Sequence, residues 1–284
     1  GTALTSGVSP LARLANWVLP GDLEPLVATG GLQVSRPATE GQVRARHELS
    51  KRLAARSAAD RESDTSRRPV DVLTLAGIEE GMRVIDLMSG VGWYADVLAR
   101  AAGPEGRVVA PTNSISNDRY GGALAEHMTE SGLANVDLLV ADLDALSIED
   151  VGGGNLDAAF MVQFYHDTVW MGVDRSEMLR RILAALRPGG RFIVIDHHAK
   201  KGAGLEAVET LHRIEEGNVI AEIEAAGFHL VHRSSMLSNR MDDREKIVLD
   251  PRVRGETDRF LLSFEKPISQ KIEMAKSLAE SIEP

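Results

Sequence analysis

The chain has 284 residues, a net charge of −10 at pH 7 and no cysteine. This length is enough for one large domain with an appendage, or for two small domains. The acidic balance disfavours a nucleic-acid-binding enzyme, because phosphate binding needs a basic face. The lack of cysteine excludes disulfides, zinc–thiolate sites and cysteine nucleophiles. No apolar run reaches the ~18 residues of a membrane span, and no signal peptide is visible.

The N-terminal part of the sequence is predicted to be helical. Residues Pro10–Pro20 predict a short apolar helix, and Thr39–Asp64 predicts a charged one with a narrow apolar stripe at Leu49, Leu53 and Ala54. The charged stretch is typical of a solvated helix packed on the edge of a sheet. The alternative is a lid over a substrate pocket.

The segment Arg83–Tyr94 predicts a buried strand, a glycine-containing turn and the start of a helix, Trp93–Ala102. Gly90 and Gly92 allow the backbone to turn tightly and to approach a ligand. The first amides of the following helix would face that ligand. Asp86 ends the strand, at the edge where open α/β sheets bind ligands. The segment therefore predicts a nucleotide-cofactor site.

Downstream, apolar segments of strand length alternate with helical segments. A helix is predicted over Met178–Leu186, and we expect Arg187-Pro188-Gly189-Gly190 to end it with a left-handed glycine. This alternation predicts an α/β fold, a doubly wound, Rossmann-like, mainly parallel sheet with helices on both faces. The further predicted strands are 106–110, 135–143, 156–164, 191–196, 228–232 and 260–264. The predicted units are an N-terminal helical extension (1–70), a main domain (71–267) and a C-terminal helical tail (268–284).

The glycine turn also fits the dinucleotide fingerprint G-x-G-x-x-G/A. That fingerprint requires an acidic residue about 20 residues later, at the end of the second strand. Here the second strand is followed by Pro111-Thr112-Asn113, without a carboxylate. An NAD-dependent oxidoreductase is therefore the weaker alternative.

With these motifs the chain resembles class I S-adenosylmethionine (SAM)-dependent methyltransferases, over about residues 81–267. It is similar, more narrowly, to a group of bacterial predicted methyltransferases with a Gly-x-Gly-Trp-Tyr turn. The segments that carry the resemblance are Val84-Ile85-Asp86 with Gly90 and Gly92, Val140-Ala141-Asp142, the strand ending at Gln163, Leu186–Phe192, Asp196-His197, Leu211–Ile214 and Arg254–Phe260. The resemblance implies a SAM-dependent methyltransferase, and we expect it to act on oxygen or nitrogen of a small molecule. The acidic charge and the lack of a long apolar run predict no nucleic-acid or membrane partner. We expect a cytoplasmic location, because SAM is made in the cytosol. The alternative is a protein of this fold that uses or binds SAM without methyl transfer.

The resemblance also implies which residues hold SAM. Asp86 and the two glycines would line its methionine and ribose part, Asp142 would accept a hydrogen bond from the adenine amino group, and Leu143 would pack on the ring. Two departures stand out: Met88 replaces a third glycine, and Asn113 would have to substitute for an acidic ribose ligand. The predicted cofactor-binding set is Asp86, Met88, Ser89, Gly90, Gly92, Trp93, Asn113, Asp142, Leu143 and Gln163.

Histidines follow the strands beside which the methyl group would lie. Transfer from a sulfonium needs an aligned nucleophile and often a base, and an imidazole titrates near neutral pH. We predict His166 as the catalytic base and His197, oriented by Asp196, as the second choice. Tyr165 would stack on the substrate or hold the methyl end of the cofactor.

Two further hypotheses concern ligands. His166, Asp196, His197 and His212 are side chains that suit zinc or iron, but no tight ligand motif joins them, so we predict no metal site and keep metal binding as the alternative. Arg254 or Arg259 would bind an anionic acceptor, unless both only pair charges in a turn. The C-terminal tail would pack on its own domain or on a partner subunit, so a homodimer stays open.

Overall fold

The computed structural model describes residues 23–24 and 38–268. The helix predicted at Pro10–Pro20 and the tail predicted beyond Ile268 lie outside these residues. In the described part, eight strands form one sheet in the order β1-β7-β8-β6-β5-β2-β3-β4. In chain order they are β1 (Leu23–Glu24), β2 (Arg83–Leu87), β3 (Arg107–Thr112), β4 (Val136–Val140), β5 (Leu156–Val162), β6 (Leu186–His197), β7 (His229–Ser234) and β8 (Arg259–Glu265).

The sheet is parallel from β4 to β6, and β8 runs antiparallel between β6 and β7. The chain order reverses at β2, which has β3 on one side and β5 on the other. Such a switch point opens a crevice at the carboxyl ends of the strands, where doubly wound folds bind ligands. The predicted cofactor turn directly follows β2.

Helices cover both faces of the sheet, as predicted. They are α1 (Glu40–Ala54), α2 (Ala58–Arg61), α3 (Asp64–Arg67), α4 (Pro69–Ala76), α5 (Trp93–Ala102), α6 (Ser114–Ser116), α7 (Gly122–Glu130), α8 (Tyr165–Trp170), α9 (Arg175–Ala185), α10 (Glu206–Leu211) and α11 (Glu216–Ala225). A π-helical turn, Asn117–Gly121, joins α6 to α7, and a short 3₁₀ helix, Leu143–Ala145, follows β4. Within the described ranges, no helix is long and apolar enough to cross a membrane.

Alternate residues of the strands pack on the two helical layers, because side chains of a strand point in turn to opposite faces. On one face, Ile85 and Met161 pack in a core with residues of α9 and α11. On the other face, Val84 and Phe160 pack with residues of α1, α4 and α5. The core therefore has two layers, one on each side of the sheet.

Helix α1 begins with a capping box in which Thr39 and Gln42 bond each other's backbone amides. Leu49 and Leu53 are buried in the core shared with the sheet, whereas Ala54 is exposed and does not extend the predicted stripe. The predicted boundary at residue 70 falls inside α4. The described part of the N-terminal extension thus shares a core with the sheet.

The predicted glycine cap at the end of the long helix is wrong. Helix α9 ends at Ala185, and the next residue, Leu186, is extended (φ −78°, ψ 144°) and already pairs with Leu156 in the sheet. Gly189 is left-handed (φ +76°) but lies within β6, where its N–H donates to the Lys266 carbonyl at 2.9 Å. Strand pairing ends this helix before the glycines are reached.

Candidate functional site

The turn after β2 runs through three left-handed residues. Met88, Gly90 and Gly92 have φ of +63°, +58° and +90°. Met88 therefore adopts the conformation that a glycine would supply at this position, although a left-handed backbone costs a non-glycine residue roughly 1–2 kcal/mol. Met88, which replaces the third glycine of the family pattern, therefore changes the side chain at this position but not the left-handed course of the backbone.

The two glycines face different surroundings. A Cβ on Gly90 would meet no described atom within 4 Å, so the space in front of it is open to a ligand. A Cβ on Gly92 would lie 2.7 Å from Leu124 Cδ1 and 2.8 Å from Met128 Cε, both on α7. Gly90 thus leaves room for a ligand to approach, whereas Gly92 allows the close packing of α7.

Asp86 is 2% exposed at the end of β2. Its Oδ2 is buried and bonds to no described residue. Burial raises the pKa of the Asp86 carboxyl to about 6, in spite of Ser89 and Arg67 nearby. A buried carboxylate oxygen without a partner is costly, so this atom marks a place for a hydrogen-bond donor from a ligand.

Basic side chains line the same crevice, and sequence reasoning missed one of them. Arg67, on α3, lies over the rings of Trp93 and Tyr94, at 4.5 and 5.9 Å from their centroids. Burial lowers the pKa of Arg67, while Tyr94 and Asp86 act in the opposite direction. No ion-pair partner of Arg67 occurs in the part of the chain that the structure describes. The only sequence signal is its position just before the sheet, and its approach to Asp86 depends on tertiary packing.

These groups fit the methionine end of SAM. Its ammonium group suits the unpartnered oxygen of Asp86, and its carboxylate suits the guanidinium of Arg67. The open space at Gly90 lies in the turn that follows Asp86. The residues present are thus compatible with the predicted cofactor.

The side chain of Trp93 makes packing contacts that the sequence did not predict, and its predicted contact with the cofactor stays a prediction. Its indole Nε1 donates to the Asp60 carbonyl at 2.7 Å, and its ring lies beside Arg56 and Arg67. The side chain therefore fastens α2 and α3 onto α5. Trp93 shapes the crevice by holding Arg67 in place.

The remaining predicted cofactor residues lie at the carboxyl edge of the sheet and differ in their exposure and hydrogen bonding. Ser89 Oγ donates to the Asp86 carbonyl at 2.8 Å. Asn113 Oδ1 accepts from the Ser116 amide at 2.8 Å, so only its NH₂ group remains for ribose. Asp142 is exposed, as an adenine ligand requires, but Leu143 is buried in the core and offers little surface to a ring. Gln163 directly follows β5 and has a left-handed conformation (φ +55°).

His166 lies between two carboxylates. Its Nδ1 is 2.8 Å from Asp196 Oδ1 and its Nε2 is 3.1 Å from Asp167 Oδ1. Burial alone would lower the pKa of His166, but Asp196 and Asp167 outweigh it and raise the pKa to about 10. The imidazole therefore holds a proton at neutral pH and donates on both sides. This state does not suit the predicted role of a free base.

His197 shows the opposite state. Burial lowers the pKa of His197 to about 3, against the effect of Asp196. Its Nδ1 lies 2.7 Å from Thr257 Oγ1, and its ring centroid lies 5.8 Å from that of His166. When Nδ1–H donates to Thr257, Nε2 is left to accept a hydrogen bond.

The predicted contact of Tyr165 with substrate is wrong. The side chain is fully buried, and its hydroxyl donates to Glu222 Oε2 on α11 at 2.9 Å. Glu222 is also paired with Arg175. Burial and Glu222 raise the pKa of Tyr165 above its usual value. Tyr165 thus ties α8 to the helical layer beneath the sheet.

Helix α8 and the segment after α10 bring further polar groups to this edge. Asp167 Oδ1 accepts from Trp170 Nε1 at 2.7 Å and lies 3.1 Å from His212 Nδ1. His212 follows α10 in a left-handed conformation (φ +54°). Next to it, Arg213 is completely buried and paired with Asp242 at 2.8 Å. This ion pair fixes the segment that presents His212.

The two arginines of the C-terminal motif are separated. Arg254 is exposed. Arg259 is 5% exposed, lies opposite His197 in the β6–β8 pair, and donates from Nη2 to the Ser66 carbonyl at 2.6 Å. Its Nε bonds to no described residue. Arg259 therefore reaches the crevice between the Arg67 region and the histidines, whereas Arg254 does not.

The chain is similar in sequence to known methyltransferases. The sequence model of the ubiE/COQ5 methyltransferase family matches residues 66–211. A ubiquinone/menaquinone biosynthesis C-methyltransferase of Pseudomonas entomophila (strain L48) is 28% identical over 125 residues, which cover 44% of this chain and 45% of that protein. The chain thus spans less than half the length of the curated relatives it matches.

Solved structures share the fold at low identity. A SAM-dependent methyltransferase from Aquifex aeolicus has a TM-score of 0.54 at 21% identity, over 76% of this chain and 97% of that one. The [4+2]-cyclase SpnF has a TM-score of 0.52 at 19% identity, over 74% of this chain and 82% of that one. Likeness at this level of identity concerns the fold alone.

Proposed function

The chain belongs to the ubiE/COQ5 methyltransferase family, and from this premise we propose that it transfers a methyl group from SAM to oxygen or nitrogen of a small-molecule acceptor. The observation that carries the proposal is the buried, unpartnered Oδ2 of Asp86 at the end of β2. A donor from the ligand would satisfy this atom, and the methionine ammonium group of SAM is such a donor.

When bound, SAM supplies an electrophilic methyl group on a sulfonium. Asp86 would hold the ammonium group and Arg67 the carboxylate, through charge-assisted hydrogen bonds worth roughly 1.5–3 kcal/mol each. Gly90 leaves space for the bound molecule. Asp142 would accept from the adenine amino group, and the NH₂ of Asn113 would donate to a ribose hydroxyl.

We assign complementary roles to the two predicted catalytic histidines. His166, protonated between Asp167 and Asp196, would donate a hydrogen bond or fix its neighbours. His197 is neutral, so its Nε2 is the better candidate to accept a hydrogen bond from the acceptor. Arg259, opposite His197, would attract an acceptor that carries negative charge.

A carbon atom is the second candidate for the methylated position. It is favoured by the curated relatives, which are C-methyltransferases. The same crevice would serve a phenol or a quinol, because a hydroxyl group beside the reacting carbon needs the same hydrogen-bonding groups as an O-methylated acceptor. The mass and the NMR spectrum of the product distinguish the two outcomes.

The proposal of methyl transfer also competes with use of SAM for another purpose. SpnF shares the fold and is a [4+2]-cyclase, so the fold alone does not decide the matter. We keep a small molecule as the proposed acceptor, since the net charge of −10 opposes nucleic-acid binding. A cytoplasmic location and a homodimer remain predictions.

The first test measures SAM binding and turnover. Calorimetry should show one SAM per chain, and Arg67→Gln should weaken binding more than tenfold by removing the partner of the methionine carboxylate. Arg61→Gln, an exposed arginine one helix earlier, is the matched control and should leave affinity unchanged. Release of S-adenosylhomocysteine with a panel of catechols, amines and quinols then reports methyl transfer.

Two results would contradict the proposal. One is the absence of SAM binding to the wild-type protein. The other is conversion of a small molecule in the presence of SAM to a product that carries no added methyl group. That result would favour use of the cofactor without methyl transfer.

A further inference from the structure

His166, Asp167 and His212 form a group of potential metal ligands, here called the His-Asp-His cluster. One ligand atom from each residue lies within 4.8 Å of the others. His166 Nε2, His212 Nδ1 and Trp170 Nε1 all converge on Asp167 Oδ1, at 3.1, 3.1 and 2.7 Å. A carboxylate oxygen has about two lone pairs, so three donors exceed what this oxygen usually accepts.

We propose that the His-Asp-His cluster binds a divalent transition-metal ion. Two imidazoles and one carboxylate suit Zn²⁺ or Fe²⁺ and leave coordination positions open. Ligand atoms about 2.1 Å from one ion lie about 3.0 Å apart at the right angles of octahedral coordination and about 3.4 Å apart at the tetrahedral angle typical of zinc. The two nitrogen–oxygen separations of 3.1 Å lie between these values.

The surroundings of the cluster support the ligands as a metal site requires. Histidines that bind a metal donate their other ring N–H to a carboxylate, and His166 Nδ1 lies 2.8 Å from Asp196, which is fully buried. Trp170 orients Asp167 through its indole N–H. The left-handed backbone at His212 is a sparsely populated conformation that the neighbouring structure must hold.

Solvent reaches the cluster from one side. The side chains of Asp167 and His212 are 19% and 27% exposed, whereas that of His166 is 4% exposed. An ion would therefore have access from solvent and one deeply held ligand. No described lysine or arginine bonds to Asp167, and an ion would displace to solvent the proton that His166 Nε2 donates to this carboxylate.

A second group of similar composition lacks these features. Asp60, Asp96 and His127 also lie close together. However, Arg100 Nε already lies 2.5 Å from Asp96 Oδ1, and His127 Nδ1 is engaged with the Val91 carbonyl at 2.9 Å. This second group has its own cation and only one imidazole, so we do not assign it a metal.

The metal site stands independently of methyl transfer. It lies at the carboxyl ends of β5 and β6, next to the crevice in which the acceptor is proposed to bind. That an oxygen atom of the acceptor would occupy an open coordination position rests on the proposed function.

The test uses Co²⁺ as a spectroscopic probe on chelator-stripped protein without a histidine tag. We expect one Co²⁺ per chain, with visible absorption bands of a protein-bound ion. His212→Ala and Asp167→Asn should each weaken Co²⁺ binding at least 100-fold. His229→Ala removes an exposed imidazole on β7 and should leave binding unchanged.

Failure of the wild-type protein to bind Co²⁺ would overturn the metal site. A Co²⁺ affinity in both ligand variants equal to that of the wild type would overturn it as well. Urea unfolding of His212→Ala and Asp167→Asn shows whether each variant is folded, independently of SAM binding. A wild-type protein that binds Co²⁺ but not SAM would refute the proposed function and leave the metal site standing.

Discussion

Asp86 combines a structural cost with a proposed binding role. Burial raises the pKa of its carboxyl from 3.8 to about 6, and a shift of that size corresponds to about 3 kcal/mol between the two protonation states. Because the folded-state pKa lies above the unfolded one, protonation favours the folded state. The stabilising effect is therefore complete below about pH 4 and is lost as the pH rises through about 6.

Asp86→Asn removes this charge while keeping the shape. We expect the SAM-free variant to be about 1–3 kcal/mol more stable than wild type at pH 8, with the difference vanishing at pH 4. SAM affinity should fall more than tenfold in the variant, and in wild type it should decline as the pH falls below about 6. Urea unfolding and calorimetry at several pH values measure both effects. A difference in stability that does not depend on pH would contradict the argument.

Met88 has a left-handed backbone conformation that its residue type does not favour. Glycine normally destabilises relative to alanine, but at a left-handed position alanine carries the strain. Met88→Gly should therefore be about 0.5–1 kcal/mol more stable than Met88→Ala, although both lose the same buried side chain. Met161, buried in β5, is the matched control, and there the glycine variant should be the less stable one. The same order at both positions would show that φ at Met88 carries no strain.

At the scale of elements, the segment from β6 to β8 is held by buried charges. Arg213 pairs with Asp242 in the interior, and Asp242 also accepts the backbone N–H of Asp258 at 2.7 Å. Asp258 in turn pairs with Arg244. These bonds join motifs that lie far apart in the sequence and place His212 beside α8.

Removing one partner of a buried ion pair leaves the other charge without compensation. Arg213→Ala should therefore lower the free energy of unfolding by about 3–5 kcal/mol, measured by chemical denaturation. The Arg252–Asp250 pair has similar two-bond geometry, but its arginine side chain is 72% exposed. Arg252→Ala should produce no measurable change. Equal effects of the two substitutions would mean that burial is irrelevant to this pair.

Elements whose signal is local were predicted well. The apolar strands and the turn through Gly90 and Gly92 follow from neighbouring residues. The structure places the strands in the sheet and the turn at its carboxyl edge. The end of α9 was misplaced, because pairing of Leu186 with a distant strand overrides the local glycine signal. Tyr165 was misassigned because its direction depends on Glu222, on a helix more than fifty residues later.

At the scale of the whole molecule, the doubly wound fold and the SAM-dependent family were predicted correctly, and the NAD-dependent alternative finds no support. The site was predicted only in part. Arg67 joins the proposed site through the packing of α3 on Trp93, which no sequence spacing reveals. The charge state of His166 depends on Asp196, which is distant in sequence and adjacent in the sheet. Properties that require two remote segments to meet were beyond local patterns.

The position of β8 has a consequence for how the crevice is assembled during synthesis. It is the last described strand along the chain, yet it lies between β6 and β7 in the sheet. Arg259, at its start, bonds to the Ser66 carbonyl, and Arg68 bonds to the Met236 carbonyl at 2.8 Å. While β8 is still inside the ribosome, α3 is therefore not yet connected to the strand end that carries His197. Because such long-range contacts form late, we expect SAM to find its complete pocket only after β8 has emerged.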